Sequence, residues 1–139
     1  MLPEAGSALT DFYASVDVTF GRGGEDGMYA YGLVFRHVED DYGFFGIQSD
    51  GTFRVLVVYH TGIYEHYIIG GEAVHTGPGQ TNRIVVRSIG PEFIFEINDQ
   101  VVWHITEDFP AGRIGLGVDV VSDVGEAQVQ FANFEVRAP

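Results

Sequence analysis

Glu92 and Glu96 are the two carboxylates that come nearest to the arrangement a sugar-cleaving enzyme needs, and they stand four positions apart on one strand face. A retaining pair holds its carboxyl groups about 5–5.5 Å apart, a separation supplied by alternate positions of a strand, and this chain lacks that pattern. Polar residues on the outer side of an ordinary strand account for both glutamates. Asp17 and Asp119 each stand alone among apolar neighbours, and Ser49 and Ser122 lie near aspartates without a nucleophile-elbow motif around either. The histidines His37, His60, His66, His75 and His104 show no closely paired metal spacing. His60 and His66 flank the Thr61-Gly62 turn, where a cross-strand polar pair explains them more simply than zinc. No cysteine is present, so disulfides, thiolate metal sites and cysteine nucleophiles are excluded. Hard cations take carboxylate and carbonyl oxygens from loops, which makes calcium the possible metal. Glu25-Asp26, Glu39-Asp40-Asp41 and Asp119 with Asp123 are the candidate clusters; none has EF-hand spacing, solvated loop carboxylates explain each, and the metal site stays unassigned.

Recognition of a carbohydrate calls for aromatic faces against sugar C–H surfaces and planar polar groups against hydroxyls. The middle of the chain is rich in both: Tyr29, Tyr31, Arg36, Tyr42, Gln48, Arg54, Tyr59, His60, Tyr64, His66 and Tyr67. From this group Tyr31, Arg36, Gln48, Arg54, Tyr59, Tyr64 and His66 are the expected ligand contacts. By alternation Arg36 points away from Leu33 and Phe35, and Gln48 away from Phe45 and Ile47, so these two head the set. Two competing readings stand beside it. Tyrosines commonly fill the edge of a core with the hydroxyl at the surface, and exposed tyrosines and arginines also mark protein interfaces, so a protein ligand or assembly role is the alternative.

These side chains need strands to carry them, and the pattern supplies strands throughout. Asp11–Phe20 puts Phe12, Ala14, Val16, Val18 and Phe20 on one face. Strands follow around Tyr29–His37, Tyr42–Ser49, Thr52–His60 and Ile63–Ile69, joined by the acidic tip Glu39-Asp40-Asp41, by Asp50-Gly51 and by Thr61-Gly62, which makes them successive hairpins. Gly70-Gly71 through Gly77-Pro78-Gly79 is long enough to cross between sheets. Asn82–Ser88, Glu92–Ile97 and Gln100–Thr106 form a second meander with tight turns at Gly90-Pro91 and Asn98-Asp99. Arg113–Val121 and a last strand marked by Val129, Phe131, Phe134 and Val136 complete the set, with a bulge at Ala132-Asn133 shifting the alternation. The Gly21–Gly27 stretch spreads its glycines too widely for a phosphate loop and leads into a strand, not a helix. No helical pattern or internal repeat interrupts this all-β reading, a sandwich with a barrel as the structural alternative.

The chain of 139 residues fits one domain with a core of its own, and its net charge of −13 repels nucleic-acid phosphates and anionic lipid. All seven basic residues are arginine. No apolar run approaches a membrane span and the first residues lack a signal-peptide pattern, so membrane insertion is not expected. The oligomeric state is not legible. The chain stops directly after its last strand, as a domain cut from a longer protein would. The expected division is an extension over 1–10, one sandwich over 11–137 and an end at 138–139.

The succession D-F-Y-A-S-V-D-V-T-F, Y-G-L-V-F-R, Y-G-F-F-G-I-Q-S-D-G-T-F-R-V, N-R-I-V-V-R, F-E-I-N-D-Q-V-V, F-P-A-G-R-I-G-L-G-V and F-A-N-F-E-V resembles the concanavalin A-like lectin/glucanase superfamily from about Asp11 to Arg137. It is most similar to the bacterial laminin-G-like or keto-disaccharide-hydrolase-like branch. The resemblance implies a jelly-roll β-sandwich of two curved antiparallel sheets, with ligands at the concave face or its rim. It also implies an accessory module of an extracellular or cell-surface protein, some relatives binding calcium and others being glycoside hydrolases. Together with the absent carboxylate pair, the expectation is a non-catalytic module binding a glycan, with a glycoside hydrolase-like domain as the enzymatic alternative.

Overall fold

The computed structural model describes residues 11–21, 29–48, 51–59, 62–70, 73–76, 79–106, 112–120 and 129–137, with the backbone alone at 29, 63–70 and 118–120. Ten strands follow in order: β1 (Phe12–Phe20), β2 (Tyr29–Val38), β3 (Asp41–Ile47), β4 (Thr52–Tyr59), β5 (Gly62–Gly70), β6 (Thr81–Ile89), β7 (Glu92–Ile97), β8 (Gln100–Thr106), β9 (Arg113–Val120) and β10 (Val129–Arg137). They form two five-stranded sheets, β10-β1-β6-β7-β8 and β5-β4-β3-β2-β9. Among the described residues every strand pair is antiparallel. The architecture is an all-β jelly-roll sandwich. The two meanders β2-β3-β4-β5 and β6-β7-β8 each stay within one sheet, and the connection after β5 crosses to the other.

Alternation along the strands builds the core between the sheets. Phe12, Ala14, Val16, Val18 and Phe20 from β1 are all at most 3% exposed. They meet Leu33 and Phe35 of β2, Phe45 and Ile47 of β3, Val55 and Val57 of β4, and Phe93, Phe95 and Ile97 of β7. Aromatic rings knit the two layers: Phe45 packs on Phe95 at 4.9 Å between centroids, and Phe35 on Phe93 at 5.2 Å. Burying one such side chain contributes roughly 1.5–3 kcal/mol, so the interleaved phenylalanines dominate the cohesion of the layers. A smaller apolar cluster of Ala30, Phe44 and Leu56 lies on the other face of the β5-β4-β3-β2-β9 sheet.

Three departures from regular pairing shape the surfaces. Asn98 and Asp99 both have positive φ, 50° and 68°, the type I′ geometry that suits a two-residue hairpin between β7 and β8. In β10, Ser15 pairs with Glu135 but Asp17 with Ala132, and Asn133 takes φ 54°, so the bulge lies where the broken alternation of the last strand places it. In β2 the pairing shifts between Phe35 and Val38 against β3 and between Val34 and His37 against β9. Arg36 sits at this shift with φ 48°. Gly112 closes against the Arg36 backbone so tightly that a Cβ there would overlap the Arg36 carbonyl carbon, which glycine alone avoids.

Candidate functional site

The bulge at Arg36 determines which side chains reach the surface at this end of the sandwich. A left-handed residue breaks the two-residue alternation of a strand and re-aims the next side chain. Arg36, expected on the exposed side of β2, is instead turned into the interior and is 2% exposed. Its Nη2 donates to the Ser88 hydroxyl at 2.7 Å and to the Gly90 carbonyl at 3.0 Å, and its guanidinium lies 4.8 Å over the Phe93 ring. His37 is thereby presented outward, opposite Arg113 in the register with β9. The His37 ring meets Tyr42 edge-on, with centroids 5.9 Å apart.

His37, Val38, Glu39, Gly112 and Arg113 line an open cleft of about 420 Å³, within the size range of small-molecule sites. Glu39 has φ 54°, stands exposed in the turn between β2 and β3, and shares the lining of the cleft with the exposed His37 and Arg113. Among the described residues the side chains of Glu39 and Arg113 make no hydrogen bond or ion pair, and His37 makes only its ring contact with Tyr42. The cleft therefore offers a donor-only guanidinium, an acceptor-only carboxylate and an imidazole able to act either way.

The other described arginines are engaged elsewhere. Arg36 and Arg54 are buried. On the outer face of the β10-β1-β6-β7-β8 sheet, Arg83 donates to Ser15 at 3.0 Å and to Asp17 at 3.4 Å, while Arg87 is paired with Glu96 and Arg137 with Glu135. Arg87 and Arg137 also lie over the Tyr13 ring, at 5.2 and 4.1 Å. Partial burial works against the Arg83 charge, but Tyr13 and Asp17 outweigh it and hold its pKa above the ordinary arginine value. This face is a lattice of mutually satisfied charges.

The remaining expected contacts fall in several environments. Tyr31 is a core residue, 4% exposed, with its ring tilted onto Phe20. Gln48, expected on an exposed face, is 4% exposed because it closes the β3–β4 hairpin: its carboxamide accepts the Thr52 hydroxyl and its backbone pairs with Thr52 and Gly51. Arg54, 5% exposed, stands opposite Gly46. Tyr59 is half-buried against the main core. In the β4–β5 register His66 is opposite Leu56, and Tyr64 is the extra residue of a bulge between Glu65 and Ile63; their side chains lie outside the described residues. So do Ser49, His60, Glu25, Asp26, Ser122, Asp123 and the Asp119 side chain. Among the described residues no three histidine or carboxylate side chains group as a metal site, and no helix is long and apolar enough to cross a membrane. Glu92 and Glu96 each have a partner, Thr106 and Arg87, and four strand positions separate them by about 13 Å, beyond the spacing of either glycosidase geometry.

Of the neighbours Arg36 and His37, alternation favours Arg36 as the exposed group, whereas His37 is the one that lines the cleft. A left-handed arginine leaves no mark in the alternation of Y-G-L-V-F-R-H-V, and Arg113 joins His37 only through the distant pairing of β2 with β9.

The arrangement is a jelly-roll β-sandwich with a polar cleft at one end of its strands. Solved structures share the fold. A carbohydrate-binding module, CBM66 from Bacillus subtilis, matches with a TM-score of 0.73 at 16% identity over 95% of this chain and 78% of its own. Sheep galectin-11 in complex with glycerol matches with a TM-score of 0.68 at 12% identity over 94% and 92% of the two chains. Chicken galectin 2 gives 0.70 at 9% identity over 95% of each. No protein-family model and no curated protein sequence matches the chain.

Proposed function

We propose that this sandwich is a non-catalytic carbohydrate-binding module whose ligand enters the cleft of His37, Glu39 and Arg113. The observation that carries the reading is the contrast among the described arginines: Arg113, beside His37 and Glu39 in the cleft, is exposed and uncommitted, while the others are buried or ion-paired. Sugar hydroxyls both donate and accept, so they can satisfy a guanidinium and a carboxylate together. Val38, 37% exposed, adds an apolar patch for a sugar C–H surface. The shared fold with a carbohydrate-binding module and galectins supports the same reading. The wide separation and existing partners of Glu92 and Glu96 support binding without hydrolysis.

In this reading Arg36 holds the bulge instead of touching ligand, and Tyr64 and His66 on the edge strand β5 remain candidate contacts. A place in the laminin-G-like or keto-disaccharide-hydrolase-like branch, and an accessory role within a larger extracellular or cell-surface protein, belong to the same proposal. The test is a glycan array followed by titration calorimetry on the best binder. Arg113→Ala and His37→Ala are expected to weaken binding by about tenfold or more each, with melting temperatures unchanged. Absence of binding across the array, or full affinity in both variants, would overturn the assignment.

A further inference from the structure

The charges around the cleft define the class of sugar it takes. Arg113 brings one positive charge, but Glu39 shares the lining and Asp40 and Asp41 follow it directly in the chain, on a protein of net charge −13. A carboxylated or sulfated sugar would satisfy the guanidinium bidentately. It would also set its own anion in the same cleft as the Glu39 carboxylate, and no other described arginine has an uncommitted exposed side chain to compensate. A neutral sugar meets no such conflict. Adjacent hydroxyls on one ring can accept from Arg113 and donate to Glu39, using the donor-only and acceptor-only groups in their ionised states.

We infer that the cleft selects neutral saccharides, with a vicinal diol bridging the Arg113 guanidinium and the Glu39 carboxylate, and that Glu39 excludes acidic sugars. This rests on the carbohydrate reading above and names the ligand class of the same site.

The experiment compares neutral hexose oligosaccharides with oligouronides of the same length, titrated at low and at raised salt into the whole chain and into Glu39→Gln, Arg113→Ala and Glu92→Gln. Glu92 lies on β7 of the other sheet, so Glu92→Gln removes the same charge away from the cleft. The neutral series is expected to bind about tenfold or more tightly than the uronides at low salt, with the gap narrowing as salt screens the carboxylates. Glu39→Gln is expected to weaken neutral binding and to cut the preference to less than about threefold, whereas Glu92→Gln leaves it unchanged. Uronides that bind as tightly as the neutral series, with both lost in Arg113→Ala, would overturn the selectivity while leaving carbohydrate binding at the cleft intact. An unchanged preference in Glu39→Gln would overturn the role of that carboxylate. Failure of both series to bind would remove the carbohydrate reading and this inference together.

Discussion

Arg36 on β2 donates a hydrogen bond to Ser88 on β6 at 2.7 Å, a polar link between the two sheets set beside an otherwise aromatic interior. The same guanidinium reaches the Gly90 carbonyl and covers Phe93. The contact locks the bulge that turns His37 outward, so an interior interaction shapes a surface site.

Replacing Arg36 with alanine leaves the fully buried Ser88 hydroxyl without this partner and opens space beside Phe93. A loss of about 3 kcal/mol in urea denaturation is expected, with Arg36→Lys intermediate because lysine keeps the charge without the planar fork. An Arg36→Ala midpoint within about 0.5 kcal/mol of the parent would contradict the strut.

Asn82 is 0% exposed and ties the segment before β6 to the β7–β8 turn. Its Oδ1 accepts from the His75 backbone at 2.6 Å and from Asn98 at 2.9 Å, while its Nδ2 donates to the His75 carbonyl at 2.9 Å. Asn82→Ala should cost about 2 kcal/mol and speed amide exchange at His75 before the rest of the chain opens. Undiminished protection at His75 would show that the network does not hold this segment.

Two glycines predict opposite outcomes for the same substitution. A Cβ at Gly32 would overlap the Phe45 carbonyl oxygen, whereas one at Gly115 meets nothing within 4 Å. Gly32→Ala should destabilise by about 2–4 kcal/mol because backbone has to move, and Gly115→Ala should stabilise by up to about 1 kcal/mol by restricting the unfolded chain. Equal melting shifts for the two variants would refute the close approach of β2 and β3.

The Arg83–Asp17 pair is partly exposed to solvent and responds to salt more than to pH. The raised Arg83 pKa gives stability that is complete below the ordinary arginine value and lost only as pH rises through the raised one, so this contribution persists from about pH 5 to 9. Asp17 also accepts from Asn133 Nδ2 at 2.7 Å. Asp17→Asn is expected to cost about 1 kcal/mol or less at low salt, with the difference shrinking at high salt, read from paired thermal melts. A penalty that does not change with salt would point to hydrogen bonding to Asn133 as the dominant part.

The strand pattern was legible because period-two alternation and turn residues are local properties. Phe12 to Phe20, the meanders separated by Asp50-Gly51 and Asn98-Asp99, and the crossing connection after β5 follow from residues close in the chain. The bulge at Ala132-Asn133 was equally readable, since its two residues break a visible alternation. The fates of Arg36 and Gln48 were not. Alternation assigned both to an exposed face, but a left-handed φ turned one into the core and a hairpin hydrogen bond enclosed the other. The cleft depends on His37 meeting Arg113, residues distant in sequence and joined only when β9 pairs with β2. Local sequence thus determined which segments become strands and which faces are apolar. Tertiary pairing alone decided which polar side chains stay exposed and uncommitted, because that outcome depends on partners contributed by remote strands.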